Sequence, residues 1–477
     1  MTDTTPPSLY KAREPIFPRR VKGRFRTLKW WLMGLTLGIY YITPWLRWDR
    51  GPHLPDQAVL IDLAGRRFFF FMIEIWPHEF YFVAGLLIMA GLGLFLFTSA
   101  LGRVWCGYAC PQTVWTDLFI LVERWIEGDR NARLRLFHQK LNREKLAKRL
   151  VKWAVWLLIG LLTGGAWVFY FADAPLLLDN LIYWQAPMVA YTTITVLTLT
   201  TFFFGGFFRE QICIYACPWP RIQSAMLDED SLTVGYRFWR GEPRGHKQKE
   251  PEIPTQSTQG DCIDCRACVN VCPMGIDIRE GQQLACITCA LCIDACDDVM
   301  DKVGQPRGLI GYMSLTDEAA EIAGAKTKPI WAHIFRVRTL IYTVLWAGVG
   351  VFLITALFLR SDIDISLSPL RNPTYVTLKD GTIRNIYDLR LRNKLGDNMT
   401  YQITVTGAQA FTLALEGQAS DFVKVNADET FSQRIYIDAP AESEAARDER
   451  SDLRLWVTAL SDGTRQSHDT VFNGKDD

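Results

Sequence analysis

The sequence predicts a multi-domain fold: an α-helical membrane bundle with five spans, a cysteine-rich aqueous insert, and an immunoglobulin-like β-sandwich at the C-terminus. Three observations support this fold class. Apolar residues form a few long blocks, although the average composition, with 49% hydrophobic and 22% charged residues, resembles that of a soluble protein. Most of the twelve cysteines fall in short motifs. The segment 361–477 alternates apolar and polar residues as β-strands do.

The overall composition excludes two broad classes of protein. The 52 Lys and Arg nearly balance the 51 Asp and Glu, giving a net charge of +1. Such a balance argues against a protein that mainly binds nucleic acid. Twelve cysteines in 477 residues are too sparse for a disulfide scaffold.

Five blocks are apolar over about the 20 residues that a helix needs to cross a hydrocarbon core. The first follows a polar, basic arm at 1–29 without a cleavage site after it, so we expect a retained signal anchor. Tryptophans lie near the ends of the blocks, as in the aromatic belts of membrane proteins. The predicted spans are Trp30–Leu46, Tyr81–Leu101, Lys152–Phe171, Pro187–Phe208 and Thr339–Leu359.

Positive charge is distributed unequally between the two sides of these spans. The arm before span one and the loop after span two are rich in Lys and Arg, whereas the loop 172–186 has none. Because basic loops stay in the cytoplasm, the N-terminus and the loops after spans two and four are predicted to be cytoplasmic. The C-terminal domain is then periplasmic, and the protein belongs in the bacterial inner (cytoplasmic) membrane, with the lipid bilayer as its first partner.

Basic and apolar residues alternate within Asn131–Leu150. This pattern is typical of a helix that lies on the anionic inner leaflet. A solvated basic linker explains the same pattern equally well, so both interpretations stay open.

The long loop between spans four and five contains the spacing C-x2-C-x2-C-x3-C twice. The first copy begins at Cys262, and the second begins at Cys286. This duplicated run is typical of bacterial two-cluster ferredoxins. Zinc sites use paired C-x2-C ligands, which do not explain the duplicated spacing. We therefore expect a cytoplasmic 2[4Fe–4S] ferredoxin domain over 241–330.

The last cysteine of each copy should begin a helix that points away from its own loop. The fourth ligand of each cluster is therefore expected from the other copy. We assign one [4Fe–4S] cluster to Cys262, Cys265, Cys268 and Cys296, and the other to Cys286, Cys289, Cys292 and Cys272. The reducing cytoplasm suits these thiols, and the predicted periplasmic tail has no cysteine.

The remaining four cysteines form an internal repeat at the predicted cytoplasmic ends of spans two and four. The segments 106–111 and 213–218 both have the sequence C-x-Y-A-C-P. If each helix continues, its two cysteines share a face, and Cys106, Cys110, Cys213 and Cys217 can converge on one catalytic metal or redox site. Soft sulfur ligands favour Cu(I), zinc or iron–sulfur, and the spacing does not decide among them. Cysteines that only fill packing gaps are the alternative.

Other redox and nucleotide chemistries lack the residues they need. No histidine lies in the middle of a span, so haem is not expected in the membrane core. The chain has no Walker A sequence, no G-x-G-x-x-G after a strand and no nucleophile elbow. Electrons for the predicted clusters should therefore come from a cytoplasmic donor. Asp117, near the first cysteine pair, is expected to be a solvated acid, with a role as counter-charge or proton source as the alternative.

The C-terminal segment contains short strand-like runs separated by turn signals such as 379–381. About 115 residues of this pattern fit an immunoglobulin-like sandwich, and no catalytic constellation is visible in it. Interaction or structural support is the expected role. The predicted domains are a basic arm, a membrane domain with spans one to four, the ferredoxin domain, span five and the sandwich, with bounds 1–29, 30–240, 241–330, 331–360 and 361–477.

The paired C-x-Y-A-C-P motifs, the run Cys286–Asp297 and the sandwich tail together resemble the CcoG/FixG family, over nearly the whole chain. Members of this family are inner-membrane accessory proteins for assembly of the cbb3-type cytochrome oxidase. The resemblance implies a Cu(II) reductase that supplies Cu(I), with oxidase assembly or copper-handling proteins as partners and no nucleic acid. Two alternatives stay open: an electron-transfer subunit of another reductase, and a non-enzymatic assembly scaffold with structural clusters.

Overall fold

The computed structural model describes residues 15–51, 54–245, 259–360, 363–393, 397–407, 410–418, 420–426 and 429–475. The chain divides into two compact units, which are described separately. The first comprises Met1–Leu46 and Gln57–Leu353, and the second comprises Arg47–Asp56 and Ile354–Asp477. The part of the predicted basic arm before residue 15 and most of the linker into the cysteine-rich insert lie outside the described residues.

The membrane and cysteine-rich part is mainly helical. Its helices are α1 Arg24–Ile42, α2 Tyr81–Leu101, α3 Val104–Tyr108, α4 Pro111–Glu127, α5 Arg130–His138, α6 Arg143–Val168, α7 Ala174–Ile182, α8 Met188–Phe203, α9 Arg209–Gln211, α10 Trp219–Met226, α11 Phe238–Gly241, α12 Ala267–Val271, α13 Leu291–Val303, α14 Leu315–Ile322, α15 Ile330–Ile334 and α16 Val337–Phe358. Its strands are β1 Val59–Asp62, β2 Arg67–Phe70, β3 Ile73–Ile75, β4 Thr233–Tyr236 and β5 Ile310–Met313.

Four of the described helical segments are long and apolar enough to cross a membrane, and the protein is a membrane protein. They correspond to predicted spans two to five. The helix of span three begins before its expected start, at Arg143, and the helical segment of span four continues beyond its expected end, to Ala216. They are Tyr81–Leu101, Arg143–Val168, Met188–Ala216 and Val337–Phe358. The third of these continues past α8 through two π-helical turns, Phe204–Phe208 and Ile212–Ala216.

The first predicted span also forms a helix, but this helix does not have the long apolar stretch that the other four have. Helix α1 begins at Arg24, so its first turns contain Arg24, Arg26 and Lys29. The apolar remainder from Trp30 to Ile42 rises only about 20 Å at 1.5 Å per residue, against a core about 30 Å thick. A fifth crossing and the orientation of the termini therefore remain predictions.

The first unit contains two small antiparallel sheets. Strands β1, β2 and β3 form a three-stranded meander that the sequence analysis did not predict. Strand β4 pairs with β5, with Thr233 opposite Met313 and Tyr236 opposite Ile310. This second ladder joins the chain entering the cysteine-rich insert to the chain leaving it, so the insert is closed at its base.

The expected amphipathic helix over Asn131–Leu150 is two elements, α5 and the beginning of α6, separated by a short break. The Asn142 side chain caps α6 by accepting the Lys145 N–H at 2.7 Å. Arg133 is only 2% exposed and is paired with Glu123. The solvated-linker alternative is therefore wrong at this position.

The C-terminal unit is the expected β-sandwich, an immunoglobulin-like fold. Its strands are β6 Ile363–Pro369, β7 Val376–Thr377, β8 Ile383–Asn393, β9 Met399–Gly407, β10 Thr412–Leu415, β11 Phe422–Val425, β12 Thr430–Ala439, β13 Arg450–Ala459 and β14 Arg465–Asn473, with helix α17 Glu444–Arg447 before β13. One sheet has the order β10-β12-β8-β6, with β7 also on β8, and the other has the order β11-β9-β13-β14. In β8 every second side chain is buried, including Tyr387, Leu389 and Leu391, which fill the core between the sheets.

Candidate metal centre

The two C-x2-C-x2-C-x3-C loops share the backbone turn around their second cysteine but differ at the last one. Cys272 caps the C-terminal end of α12, whereas Cys296 lies within α13. The expectation that the last cysteine of each copy begins a helix is therefore wrong.

In each loop the residues on both sides of the second cysteine have positive φ: Asp264 at 51° and Arg266 at 53°, Thr288 at 55° and Ala290 at 58°. Positive φ is uncommon for residues other than glycine and often marks functional sites. Alternation of this kind turns backbone N–H groups towards one concave side, and the Thr288 N–H points to Cys286 Sγ at 3.4 Å.

The cysteines of these loops fall into two sets of close neighbours. Burial, together with neighbours that include Cys268, Cys265 and Cys262, raises the pKa of Cys296 to about 12. Burial also raises the pKa of Cys292 well above its usual range, and Cys289, Cys272 and Cys286 contribute more to this than Cys268 of the first loop does. Each set therefore contains three cysteines of one loop and the last cysteine of the other.

These residues fit iron–sulfur clusters. All eight thiols are free of disulfides, and most are buried or half-buried. Cys268, Cys272, Cys286, Cys289 and Cys292 line one cavity, and its remaining lining residues are apolar. So many buried thiols can become thiolates only when cations compensate them. Bound iron would meet that requirement.

The four cysteines of the C-x-Y-A-C-P motifs do not share helix faces as predicted. Cys110 and Cys217 both lie just past a helical segment in extended conformation, with φ/ψ of −60°/129° and −78°/124°. The cause is the following proline, which disfavours helical backbone at the residue before it. The prediction of an i, i+4 pair on a continuing helix is therefore wrong, although the two copies repeat each other at this cysteine.

The structure nevertheless brings the four thiols into one region. Cys106 and Cys213 pack against the same apolar cluster around Ile287 and Cys289. Cys110 and Cys217 both influence the Cys106 thiol electrostatically. In the described part of the chain, no three His, Cys, Asp or Glu side chains are close enough together to hold a single metal ion. The four thiols are thus neighbours without forming a closed four-ligand site.

The first C-x-Y-A-C-P motif lies directly on the second ferredoxin loop. The Tyr108 hydroxyl donates to the Cys289 carbonyl at 3.1 Å, and Arg103 donates to the Cys286 carbonyl at 3.0 Å. A Cβ on Gly107 would lie 2.6 Å from the Ile287 carbonyl oxygen and 3.0 Å from the Cys289 nitrogen. The backbone between Cys106 and Cys110 therefore touches the backbone of the loop that holds one predicted cluster.

The two motif copies differ in this respect. Tyr108 is 5% exposed, whereas Tyr215, its counterpart in the second copy, is 43% exposed. The tyrosine of the first copy is buried against the ferredoxin loop, whereas the tyrosine of the second copy is exposed. Sequence analysis identified the repeat but did not detect this difference, because the two motif sequences around the tyrosines are nearly the same.

Two further residues of the site were missed by the sequence analysis. Gln223 of α10 is fully buried; it accepts a hydrogen bond from Cys106 Sγ at 3.0 Å and donates to Thr98 at 3.2 Å. Arg103 also donates to the carbonyls of Leu284 and Pro220. Neither belongs to a motif, and only the fold brings them to the thiols.

Asp117 is not the solvated acid that was expected. It is 6% exposed, and Arg26 donates to both of its carboxylate oxygens at 2.9 Å. Burial alone would raise the pKa of Asp117, but Lys29 and Arg26 hold it below its usual range. It therefore acts as a buried counter-charge that joins α4 to α1.

Replacing Gln223 by leucine is expected to make the Cys106 thiol harder to ionise. Burial, and then Cys110, raise the pKa of Cys106 to about 11, while the Gln223 hydrogen bond lowers it. In copper-free protein, alkylation of Cys106 should thus accelerate as pH rises towards that value, because only the thiolate reacts. In Gln223→Leu this acceleration should occur at higher pH. The measurement is iodoacetamide labelling against pH, resolved for Cys106 by peptide mass spectrometry.

Ser224→Ala is the matched control, since the Ser224 hydroxyl bonds the Pro220 carbonyl on the same helix at 2.9 Å. Its pH profile should be that of the wild type. Coincident profiles for the wild type and Gln223→Leu would show that Gln223 does not influence the thiol.

Three sequence-family models match the chain. They are described as a 4Fe-4S binding domain, a 4Fe-4S dicluster domain and an IG-like fold at the C-terminal of FixG, over residues 82–131, 208–315 and 353–475. The two iron–sulfur models together span all twelve cysteines, including the C-x-Y-A-C-P pairs. The chain thus has the sequence of an iron–sulfur protein.

Curated relatives match over almost their whole length. Protein RdxB of Cereibacter sphaeroides is 70% identical over 99% of both chains. Protein RdxA of the same organism is 64% identical over 94% of each, and nitrogen fixation protein FixG of Rhizobium meliloti is 53% identical over 91% of this chain and 88% of its own. A crystal structure of a FixG-related protein from Vibrio parahaemolyticus is similar to 24% of this chain and 99% of that one, at 17% identity and a TM-score of 0.21.

Proposed function

This chain belongs to the CcoG/FixG family, and from that premise we propose that it reduces Cu(II) to Cu(I) at its membrane-edge thiols, using electrons from two [4Fe–4S] clusters. The general function, that of an iron–sulfur electron-transfer protein of this family, follows from the sequence matches. The observation that supports the rest is the contact of the Cys106–Cys110 segment with the loop Cys286–Cys292.

The two neighbour sets provide the cluster ligands in this proposal. They are Cys262, Cys265, Cys268 and Cys296 for one cluster, and Cys286, Cys289, Cys292 and Cys272 for the other. Clusters of this type accept and donate single electrons when bound. The surrounding apolar residues exclude water from most of the thiolates, whereas Cys265 is exposed. Tyr108 and Arg103 fix the second loop against α3 and thereby set the separation between donor and thiols.

In this proposal the substrate copper draws together the four membrane-edge thiols, which in the described structure are neighbours without forming a closed site. Each Cu(II) takes up one electron and becomes Cu(I), which thiolate ligands favour over harder cations. The protons displaced from the thiols pass to water, because a metal-bound cysteine is deprotonated. Arg103 lies close enough to influence Cys106 electrostatically, and its positive charge favours the thiolate.

An anaerobic single-turnover experiment on the purified full chain tests this function. The clusters are reduced, the reductant is removed, Cu(II) is added, and cluster reoxidation is followed together with Cu(I) captured by a chelator. Wild type should yield one Cu(I) for each electron lost. Cys106→Ser/Cys213→Ser should keep the iron content and lose the Cu(I) product, whereas Ser224→Ala should behave as wild type.

Equal reaction of wild type and the double cysteine variant would contradict the proposal, since exposed clusters would then reduce copper without the thiols. Absence of reaction in both would favour the electron-transfer subunit or the scaffold. For the scaffold, the double variant should also leave oxidase assembly intact in cells.

A second candidate for the thiol pairs is an additional iron–sulfur centre. It is favoured by the 4Fe-4S binding-domain match over residues 82–131, in which Cys106 and Cys110 are the cysteines. Iron analysis separates the two candidates: about eight irons per chain correspond to two four-iron clusters, and a larger number that falls in the double cysteine variant indicates the additional centre.

The proposal includes an orientation and partners. Basic segments at the N-terminus and after span two support a cytoplasmic N-terminus and a periplasmic sandwich in the bacterial inner membrane. A cytoplasmic protein then donates electrons at the ferredoxin domain, and the sandwich contacts cbb3-type oxidase assembly or copper-handling proteins. Proteolysis of the sandwich in spheroplasts, where only the periplasmic face is accessible, checks the orientation.

A further inference from the structure

A cavity that the proposed electron path does not use lies between the beginning of α1 and the end of α4. Basic residues line one part of it, and the indole rings of Trp30 and Trp125 with Leu121 line another. Its four cationic lining residues are Arg20, Lys22, Arg26 and Arg124. A concave site that combines several cations with an apolar wall suits an anion attached to an apolar group.

Two of these cations have hydrogen-bond donors that no described residue satisfies. Arg26 is 5% exposed, and its Nη2 group has no acceptor within the described ranges, although its Nη1 group is bound to Asp117. Arg124 Nε is likewise buried without an acceptor in the described structure. Buried N–H groups on cations are costly to leave unbonded. Both donor atoms are covered by protein in this structure, so they add positive potential to the cavity and would meet an anionic oxygen directly only after the arginine side chains turn.

The nearby carboxylates neutralise only part of this positive charge, and Asp294 accepts the backbone N–H groups of Phe25 and Arg26 beside the cavity. Asp117 is already held by Arg26 and Lys29 on the inner side of α1. Asp129 accepts the backbone N–H of Arg20 at 3.0 Å. Arg124 donates its Nη2 group to the backbone carbonyls of Pro18 and Arg19, which fixes the arm over α4 and keeps the cations together. Cations thus outnumber carboxylates around the cavity.

The surroundings of the cavity indicate which anion it takes. Trp125 is 79% exposed, and on α1 the neighbouring Trp31 is 76% exposed and Leu28 is 48% exposed. Exposed tryptophan and leucine beside lysine and arginine are typical of the level at which lipid headgroups meet acyl chains. We propose that this cavity binds the phosphate headgroup of an anionic phospholipid, whose acyl chains follow Leu121 and Trp125.

Native mass spectrometry of the detergent-solubilised full chain tests this site. Dioleoyl phosphatidylglycerol and dioleoyl phosphatidylcholine are titrated separately, so that the two probes differ in the headgroup alone. Wild type should bind phosphatidylglycerol more tightly. Arg20→Ala/Lys22→Ala removes two exposed lining cations and should weaken that binding by about tenfold or more. Lys140→Ala/Arg143→Ala, which removes two exposed cations outside the cavity, should bind as wild type.

Three results would overturn the proposal. Equal affinity for the two lipids would show that the cavity does not recognise the anionic headgroup. Equal weakening in both double variants would show diffuse surface attraction in place of a site. Competition by inorganic phosphate at equal concentration would assign the cavity to soluble phosphate. Because Arg20 and Lys22 are exposed, unchanged iron–sulfur absorbance in the variant verifies that its fold is intact.

Discussion

Replacement of Gly107 by alanine is expected to lower single-turnover Cu(I) formation by on the order of tenfold or more while leaving the iron content unchanged, since displacements near 1 Å can have effects of this size. The added methyl group would lie 2.6 Å from the Ile287 carbonyl oxygen and 3.0 Å from the Cα and N atoms of Cys289. These are backbone atoms of the second ferredoxin loop and cannot rotate away as a flexible side chain can. Helix α3 and the loop must therefore separate.

The expected stability effect is smaller than the functional one. Overpacking of a close contact costs about 1–3 kcal/mol, and alanine is itself a good helix residue at this position in α3. None of the cysteine ligands is altered, so both clusters should assemble. The variant thus changes the separation between the loop and Cys106 with little change in the two sites themselves.

Gly165→Ala is the matched control for this experiment. Gly165 also lies in a helix, and a Cβ there would have no neighbour within 4 Å. Its Cu(I) yield, measured in the same anaerobic turnover, should equal that of wild type. A Gly107→Ala protein that transfers electrons at the wild-type rate would show that the contact between α3 and the second loop does not set electron transfer.

The cysteine spacings were informative because they encode local geometry. The duplicated spacing of Cys262–Cys272 and Cys286–Cys296 predicted two similar loops, and the structure repeats the positive φ angles around the second cysteine of each. The alternation in β8 likewise encodes its buried face, so the sandwich could be predicted. These features depend on residues close in sequence, where one residue restricts its neighbours.

The contact between α3 and the ferredoxin loop could not be predicted in the same way. Residues Gly107 and Cys289 are far apart in sequence, and neither motif specifies which face of the insert meets the membrane domain. The extended conformation of Cys110 and Cys217 could have been predicted from the sequence, since a proline follows each of them. The assumption of a continuing helix gave that local signal too little weight.

The use of Lys and Arg counts to describe the loops was also incomplete, for a physical reason. For the segment after span two, a helix on the membrane surface and a solvated basic linker were both left open. In the structure Arg133 of this segment is buried against Glu123 of α4, and Lys152, at the start of predicted span three, is half-buried against Glu127. Whether a cation is solvated or paired is a property of the tertiary structure, and the sequence of the loop alone does not contain it. Cations in such ion pairs also contribute less than solvated cations do to the orientation of the protein in the membrane.

Glu123→Gln is expected to lower the free energy of unfolding by about 3–5 kcal/mol, the usual effect of removing one partner from a buried ion network. The Glu123 side chain is 4% exposed and is bound by Arg133, by Arg209 at 2.5 Å and by Lys152 at 3.7 Å. Glutamine keeps the shape but removes the carboxylate shared by three buried or half-buried cations, of which Arg133 and Lys152 keep Glu127 as a partner.

The network also places the end of span four, because Arg209 directly follows the π-helical turn that leads to Cys213. Arg209 and Lys152 both lie over the ring of Trp156, 5.4 and 5.0 Å from its centroid. Loss of the Glu123 charge should therefore loosen the second thiol pair as well as the bundle. Thermal unfolding of the detergent-solubilised protein measures the stability effect, and Cu(I) yield measures the effect on the thiols.

The pH dependence distinguishes loss of this charge from a general packing defect. Burial would raise the pKa of Glu123, but Arg209 and Arg133 hold it below its usual range. A carboxylate with a lowered folded-state pKa stabilises the protein above its unfolded pKa, near about 4.3, and this stabilisation is lost as pH falls through the lowered value. The stability difference between wild type and Glu123→Gln should thus be constant at neutral pH and shrink below about pH 4.

Glu144→Gln serves as the control, since Glu144 is exposed and is paired only with Lys148 one turn along α6. Exposed pairs of this kind contribute less than about 1 kcal/mol, so this variant should unfold within a degree or two of wild type. If Glu123→Gln were no less stable than Glu144→Gln at neutral pH, the ion network would contribute nothing to the bundle. The position of Cys213 would then depend on apolar packing around Trp156 alone.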